Sequence, residues 1–129
     1  MIKNIFILVG GRGTRLGNLT KKTPKPLLIF NKNPFLNYLL ESLKILKPKT
    51  IYLLCCYKSE LFFKKYHNKK ILKSKIICIK ENQPLGTGGS LYNIKKYING
   101  NCLVLNGDTF FNYNFKNLNT KIKKNYFIK

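Results

Sequence analysis

Continuous apolar runs alternate along this chain with stretches in which apolar residues recur at helical spacing. The apolar runs at residues 5–9, 51–56, 76–79 and 102–105 predict strands that are buried on both faces of a sheet. A shorter extended segment is predicted at residues 27–30. The pattern therefore indicates four buried strands and one short extended piece.

A helix is predicted between the first two buried strands, because leucines recur there three or four residues apart. Its apolar face contains Leu36, Leu39, Leu40, Leu43 and Leu46. Asn33 is expected to cap this helix, with Pro34 at its first position. The leucine face is interpreted as core rather than as a binding surface.

Two further helices are predicted between the later strands. Ser59 is expected to cap a helix that runs to about Tyr66. His67 falls at the lysine-rich end of that helix and is interpreted as an exposed residue rather than as a catalytic base. The third helix is marked by apolar residues at helical spacing, Leu91, Ile94 and Ile98.

Strands that alternate with helices are typical of an α/β fold with right-handed crossovers and a mostly parallel sheet. In such sheets, ligands bind outside the carboxyl ends of the strands. Three candidate motifs follow predicted strands, after Val9, Ile79 and Leu105. We therefore expect these motifs to meet at one edge of the sheet.

The first of these motifs is a glycine-rich turn followed by two cations. Glycines let backbone N–H groups approach a ligand closely, and such groups suit a phosphate-bearing anion. The turn is not a Walker A loop, and Leu16 occupies the place of the third glycine in a dinucleotide fingerprint. The glycines alone would equally fit a plain turn. Arg15, and Lys25 held between two prolines, favour a phosphate site.

Four segments of the chain carry a resemblance to a known family. These segments resemble the motifs of sugar-1-phosphate nucleotidyltransferases. They are Gly-Gly-Arg-Gly-Thr-Arg-Leu at 10–16, Pro-Lys-Pro-Leu at 24–27, Pro-Leu-Gly-Thr-Gly-Gly at 84–89 and Leu-Asn-Gly-Asp-Thr-Phe-Phe at 105–111. Within that family the chain most resembles the D-glycero-D-manno-heptose 1-phosphate guanylyltransferases. The resemblance covers residues 2–115, the first half of a family domain, and implies a Rossmann-like three-layer sandwich truncated at its carboxyl end.

The resemblance also implies roles for particular residues. The implied nucleotide-binding residues are Leu8, Gly10, Gly11, Gly13, Thr14, Arg15, Lys25, Glu81 and Gly86, and the implied catalytic residues are Arg15, Lys25 and Asp108. Asp108 is the only aspartate in the chain and is the expected ligand of Mg²⁺, which binds few carboxylates together with substrate phosphates. Alone, Asp108 could equally be a turn or cap residue.

Glu81 matches a family position near the nucleotide base. A carboxylate accepting two adjacent N–H groups suits guanine, whereas uracil offers one such donor, so GTP is favoured over UTP. A solvent-facing glutamate is the alternative interpretation.

The charge and the cysteines limit other functions. Lys and Arg total 25 against four acids, a net charge of +21, but the excess is dispersed lysine with two arginines only. This spread predicts weak attraction to polyanions rather than specific nucleic-acid binding. The four cysteines form no C-x-x-C pair and are expected to be buried, reduced thiols of a cytoplasmic protein. No apolar run has the length of a signal core or a membrane span.

Two parts of the chain are expected. Residues 1–115 would form the nucleotide-binding half of a nucleotidyltransferase domain, and the Lys/Asn-rich residues 116–129 would begin a second half, with Ile122 and Phe127 as a strand fragment. No acid follows Asp108, so the family's second metal-binding carboxylate has no counterpart here.

The predicted reaction joins an NTP, with GTP favoured, to a sugar 1-phosphate, giving an NDP-sugar and pyrophosphate for surface polysaccharide or lipopolysaccharide precursors. Three alternatives stay open at this point. A second chain could supply the missing half, the chain could be an incomplete remnant that binds nucleotide at most, or it could be a basic nucleic-acid-binding protein.

Overall fold

The structure is a computed structural model that describes residues 1–121. The strands are β1 (Asn4–Leu8), β2 (Ile29–Phe30), β3 (Asn33–Pro34), β4 (Thr50–Cys55), β5 (Lys70–Ile71), β6 (Ser74–Lys80) and β7 (Cys102–Asn106). The α-helices are α1 (Phe35–Leu43), α2 (Ser59–Tyr66), α3 (Gly86–Asn93) and α4 (Leu118–Lys121). Short 3-10 helices lie at Thr14–Thr20, Lys25–Leu27, Lys44–Leu46, Lys95–Tyr97 and Phe115–Asn117.

Five strands form the main sheet in the order β5-β6-β4-β1-β7. β1 pairs in parallel with both β4 and β7, β4 pairs in parallel with β6, and the two-residue β5 is antiparallel. The chain moves outward from β1 to β4 and β6, and then returns to the other side of β1 as β7. The strand order therefore reverses between β1 and β7, which is where open α/β sheets have their binding crevice.

Helices cover both faces of the sheet. Alternate residues of β1 point to opposite faces, so that Ile5 and Ile7 belong to one apolar cluster while Phe6 belongs to the other. The larger cluster contains the buried faces of α1 and α2, and the smaller contains Ile94, just after α3. This arrangement is the predicted three-layer, mostly parallel α/β sandwich, and that prediction is confirmed.

The first helix begins one residue later than predicted. Asn33 and Pro34 pair with Phe30 and Ile29 in the β2–β3 hairpin, so Asn33 is not the helix cap. Pro34 takes the cap position with an extended ψ of 144° instead of occupying the first helical turn. Ser59 is the first residue of α2 rather than its cap, because Lys58 takes the cap position with a left-handed backbone and makes no side-chain cap hydrogen bond. In both cases the residue expected to cap the helix lies one place away from the cap position.

The third helix is shifted toward the amino end relative to its prediction. It begins at Gly86, so the segment expected to be a loop over residues 81–89 ends inside the helix. Ile98 lies beyond the following 3-10 turn and is 39% exposed, whereas Ile94 is fully buried. The glycines of α3 disfavour a helix by intrinsic propensity, which is why the pattern placed its start too late.

His67 is not the solvated residue that its position predicts. Its Nδ1 accepts a hydrogen bond of 3.0 Å from the backbone N–H of Cys78, and its ring packs against Phe63. β5 pairs only with the first residues of β6, so the N–H of Cys78 further along this edge needs another acceptor. The imidazole supplies that acceptor, and the earlier interpretation was wrong.

Residues on both sides of the predicted domain boundary at 115/116 pack on the core. Phe115 and Leu118 are buried in the larger apolar cluster, and the Asn119 side chain accepts a 2.8 Å hydrogen bond from the backbone N–H of Ile2. The boundary stays a prediction, and the strand fragment containing Ile122 and Phe127 lies outside the described residues. Within residues 1–121, no helix has the length and apolarity needed to cross a bilayer.

Gly107 has no room for a side chain at the position where the strand order of the sheet reverses. A Cβ at this position would lie 2.5 Å from Val9 Cγ1 and 3.1 Å from the Leu8 carbonyl oxygen. We expect Gly107→Ala to lower the free energy of unfolding by about 2 kcal/mol, measured by urea denaturation. The matched control is Gly88→Ala, since a Cβ there meets nothing within 4 Å and α3 gains a better helix former. Equal stability of the two variants would contradict the close approach.

Candidate active site

A cleft of about 340 Å³ opens at the carboxyl ends of the parallel strands. Most of the predicted site residues line it, namely Leu8, Gly10, Gly11, Gly13, Lys25, Glu81, Gly86 and Asp108. These residues come from the ends of β1, β6 and β7, from the start of α3, and from the segment after the glycine-rich turn. The structure therefore brings together three motifs that lie far apart in the sequence.

The glycine-rich turn is tied to the end of β4. A Cβ on Gly10 would lie 3.0 Å from Cys56 Cβ, and the carbonyl of Gly10 accepts a 3.3 Å hydrogen bond from the N–H of Tyr57. Gly13 has a left-handed backbone with φ of 61°. Within residues 1–121, the backbone N–H groups of Gly11, Arg12 and Gly13 donate no hydrogen bond to the protein. Consecutive unpaired N–H groups in such a turn form an anion-binding concavity.

Lys25 reaches the cleft from a short, rigid segment. It begins a 3-10 helix in which the N–H of Leu27 bonds to Pro24 O at 2.9 Å and the N–H of Leu28 bonds to Lys25 O at 3.1 Å. Both flanking prolines are buried, which holds the backbone at Lys25 while its side chain stays 40% exposed. The ammonium group is thus positioned at the cleft by packing that does not use its charge.

Asp108 faces Lys25 across the cleft. Lys25 Nζ lies 3.5 Å from Asp108 Oδ2, although 83 residues separate the two in sequence. The N–H of Gly107 donates to the Leu8 carbonyl at 2.9 Å, which fixes the backbone just before Asp108. Thr109 Oγ1 donates to Asp108 Oδ1 at 3.0 Å and so contacts the carboxylate itself. The pair is nearly half exposed, so the contact adds little stability and leaves both groups accessible to a ligand.

Glu81 lines the cleft directly after the end of β6. Its N–H donates a 2.7 Å hydrogen bond to Cys55 O, which continues the pairing of β6 with β4. Glu81 is only 6% exposed, and Oε1 has no hydrogen-bond partner in the described part of the chain. A buried carboxylate oxygen without a partner is costly, so this atom is a candidate acceptor for a donor that a ligand supplies. The predicted alternative of a solvent-facing glutamate does not hold.

Two predicted residues are not brought to the cleft. Thr14 and Arg15 lie in the 3-10 turn Thr14–Thr20, are exposed, and do not contribute to the cleft lining. The phosphate-binding role of Arg15 therefore stays a prediction that this arrangement leaves unsupported. Among residues 1–121, Lys25 is the cation that lines the cleft.

Other lining residues were not singled out from the sequence. Asn106, Pro84 and Leu85 lie inside the quoted motifs and could have been found from them. Leu54 and Cys56 come from the end of β4, where the sequence carries no polar or glycine signal. Their presence follows only from the parallel register, which brings the end of β4 next to the end of β1.

The cysteines differ from the uniformly buried set that was predicted. All four are free thiols, but Cys56 and Cys102 are only half-buried, and Cys56 lines the cleft. The neighbouring Cys78 thiol and burial together raise the pKa of Cys55 far above its usual range, and burial raises the pKa of Cys102. Cys56 is therefore the thiol best placed for chemical modification.

The chain is similar to known proteins over most of its length. Residues 4–127 match the family described as Nucleotidyl transferase. The chain is 41% identical over 113 residues to a D-glycero-alpha-D-manno-heptose 1-phosphate guanylyltransferase of Campylobacter jejuni, covering 88% of this chain and 51% of that relative. It is 38% identical over 103 residues to a mannose-1-phosphate guanylyltransferase of Mycobacterium tuberculosis, covering 79% and 29% of the respective chains.

Solved structures show the same fold. HddC from Yersinia pseudotuberculosis, complexed with GMP-PN, superposes with a TM-score of 0.80 and 34% identity over 95% of this chain and 55% of its own. A UDP-glucose pyrophosphorylase from Acinetobacter baumanii has a TM-score of 0.65 at 21% identity over 84% of this chain and 46% of its own, and supports the fold alone. The chain thus spans about half the length of the curated heptose-phosphate relative and of the HddC chain.

The resemblance read from the motifs is confirmed, and the chain belongs to the nucleotidyl transferase family.

Proposed function

We propose that this chain is the nucleotide-binding half of a sugar-1-phosphate guanylyltransferase. The observation that carries the proposal is the convergence of unpaired glycine-loop N–H groups, Lys25, Asp108 and Glu81 on one cleft. Each group suits a different part of a nucleoside triphosphate. The guanylyltransferase names of the relatives from Campylobacter jejuni and Mycobacterium tuberculosis support the same substrate class.

The reaction requires alignment and charge neutralisation rather than a protein nucleophile. An oxygen of the sugar 1-phosphate attacks the α-phosphorus of GTP in line, the bond to the β-phosphate oxygen breaks, and pyrophosphate leaves. In this proposal the N–H groups of Gly11, Arg12 and Gly13 hold the terminal phosphates. Lys25 supplies positive charge beside the α-phosphate or the incoming sugar phosphate.

The residues of the cleft suit Mg²⁺ only when a bound nucleotide supplies further ligands. Within residues 1–121, no three His, Cys, Asp or Glu side chains are grouped to hold a metal ion. Asp108 offers one accessible carboxylate at the cleft, and Mg²⁺ commonly binds through one or two carboxylates plus substrate phosphates and water. Asp108 would therefore hold Mg²⁺ jointly with the triphosphate, where the ion would offset phosphate charge.

Glu81 is the proposed reader of the base. Guanine presents N1–H and N2–H₂ as adjacent donors, which can pair with the two oxygens of a carboxylate. The unpaired Oε1 of Glu81, buried at the cleft, would gain its missing donor when guanine binds. Uracil supplies a single N–H donor, so GTP is the better match.

The remaining parts of the proposal rest on the relatives. A second half, on the same or another chain, would supply the sugar contacts and a second carboxylate for the metal. The sugar 1-phosphate would be a heptose or mannose derivative destined for surface polysaccharide or lipopolysaccharide, made in the cytoplasm where GTP is available. Nucleotide binding is the step that residues 1–121 can perform by themselves.

The first prediction concerns Lys25. We expect Lys25→Ala to weaken binding of GTP with Mg²⁺ by about 10- to 100-fold in isothermal titration, since it removes a charge-assisted phosphate contact. The free energy of unfolding should change by less than about 0.5 kcal/mol, because the Lys25–Asp108 contact is exposed. Lys44→Ala is the control, because Lys44 also forms an exposed ion pair, with Glu41 on α1, away from the cleft. Equal losses of affinity in both variants would mean that net charge alone binds the nucleotide.

The second prediction concerns Glu81. Glu81→Gln should reduce the preference for GTP over inosine triphosphate, which lacks the 2-amino group, by about tenfold. The same change should leave stability unchanged or raise it, since it removes a buried charge with an unpaired oxygen. Competition binding with GTP, ITP and UTP measures the preference. Unchanged ratios among the three nucleotides would refute base reading by Glu81.

The third prediction uses Cys56 as a reporter of occupancy. A maleimide reagent should modify Cys56 faster than the other three cysteines, and Mg·GTP at about ten times its Kd should slow that reaction about tenfold. Mass spectrometry of tryptic peptides measures the rates, with Cys102 as the internal reference. In Lys25→Ala at the same GTP concentration, protection should largely disappear. Protection of Cys102 to the same extent as Cys56 would place the nucleotide elsewhere.

A further inference from the structure

We propose that Thr20 and Tyr57 form a clasp, meaning a set of hydrogen bonds that holds the glycine-rich turn and orients its backbone N–H groups before the nucleotide arrives. The inference rests on the proposed function, because it assigns these N–H groups to the triphosphate. Neither residue lines the cleft, so both act through the loop between Gly10 and Thr20.

The Thr20 hydroxyl closes the loop on itself. Thr20 is only 3% exposed, and its Oγ1 donates to Gly13 O at 2.8 Å, with Gly17 O at 3.4 Å as a second acceptor. Gly13 and Gly17 both have positive φ, 61° and 56°, which marks them as the bends of this segment. A buried hydroxyl bonded to the two bends restricts the part of the chain with the greatest backbone freedom.

Tyr57 holds both ends of the same loop. Its backbone N–H donates to Gly10 O at 3.3 Å, at the start of the loop. Its phenol oxygen donates to Thr20 O at 2.7 Å, with Lys21 O at 3.0 Å as a second acceptor at the end of the loop. The Arg12 guanidinium lies 5.9 Å from the Tyr57 ring centroid, so a residue in the middle of the loop also contacts this side chain.

Because the peptide group is planar, a hydrogen bond to its C=O also fixes the direction of its N–H. In a trans peptide the C=O and the following N–H point in opposite directions. Bonds to the oxygens of Gly10 and Gly13 therefore set the peptide planes at the two ends of the turn, which carry the N–H groups of Gly11 and Thr14, and limit the orientations open to Arg12 and Gly13 between them. The space beside Gly11 is open, since a Cβ built on it would meet no atom within 4 Å. Orientation before binding reduces the entropy lost when the ligand is captured.

The test compares variants that remove one hydroxyl each. Thr20→Val and Tyr57→Phe should each weaken binding of Mg·GTP by about tenfold, the effect of losing one well-placed hydrogen bond, while Thr20→Ser should restore wild-type affinity. Tyr38→Phe is the matched control, because the Tyr38 hydroxyl also donates to backbone carbonyls, Phe30 O at 2.7 Å and Asn31 O at 3.4 Å, in a hairpin outside the cleft. Unchanged affinity in Thr20→Val and Tyr57→Phe, or an equal loss in Tyr38→Phe, would overturn the clasp.

A second readout needs no nucleotide. Limited trypsin digestion should cut after Arg12 or Arg15 at least about fivefold faster in Thr20→Val and Tyr57→Phe than in the wild type or in Tyr38→Phe, because the loop opens locally. If the wild type fails to bind Mg·GTP, the proposed function fails, but faster cleavage would still support the clasp as a loop restraint. Unchanged cleavage would overturn it whatever the nucleotide affinity.

Discussion

The backbone contact between the ends of β1 and β7 is the constraint on which the site depends. The N–H of Gly107 bonds to the Leu8 carbonyl at 2.9 Å, and the space beside Gly107 is already filled by Val9 and Ile7. This approach brings Asp108 level with the start of the glycine-rich turn. It also occurs where the strand order reverses, so the adjoining loops separate and leave a cleft between them.

Two kinds of positive charge act on an anionic ligand here. The net charge of +21 attracts polyanions from all directions, an effect that salt screens and that carries no geometry. The cleft contributes a few groups in fixed positions, namely the glycine-loop N–H groups and Lys25, whose segment is held by buried prolines. In the proposed function, Asp108 and Glu81 would make the cleft selective, since a carboxylate repels a bare polyanion but accepts a metal ion or a base donor.

The parts of the structure that follow from short-range pattern were predictable. The four longer strands, the leucine face of α1 and the meeting of motifs at strand ends all come from periodicity and parallel-sheet geometry. The predicted burial of all four strands on both faces was wrong for β7, which lies at the edge of the described sheet and is mostly half-buried. The position of Arg15 was not predictable, because it lies in the 3-10 segment Thr14–Thr20, whose bends at Gly13 and Gly17 the sequence pattern does not define. The contact of His67 with Cys78 arises because β5 is only two residues long. The start of α3 was hidden by glycines whose propensity opposes a helix, and the burial of Glu81 depends on the packing around the end of β6.

The central claim is that separate segments form one site for a magnesium nucleoside triphosphate. Backbone amide NMR of the isotopically labelled chain, titrated with Mg·GTP, tests it most directly. The claim predicts that the amides of Gly11, Gly13, Gly86 and Gly107 shift together with one common Kd, while Gly100, at the opposite end of β7, does not shift. Shifts scattered over the lysine-rich surface without a common Kd, or confined to only one of these segments, would contradict it.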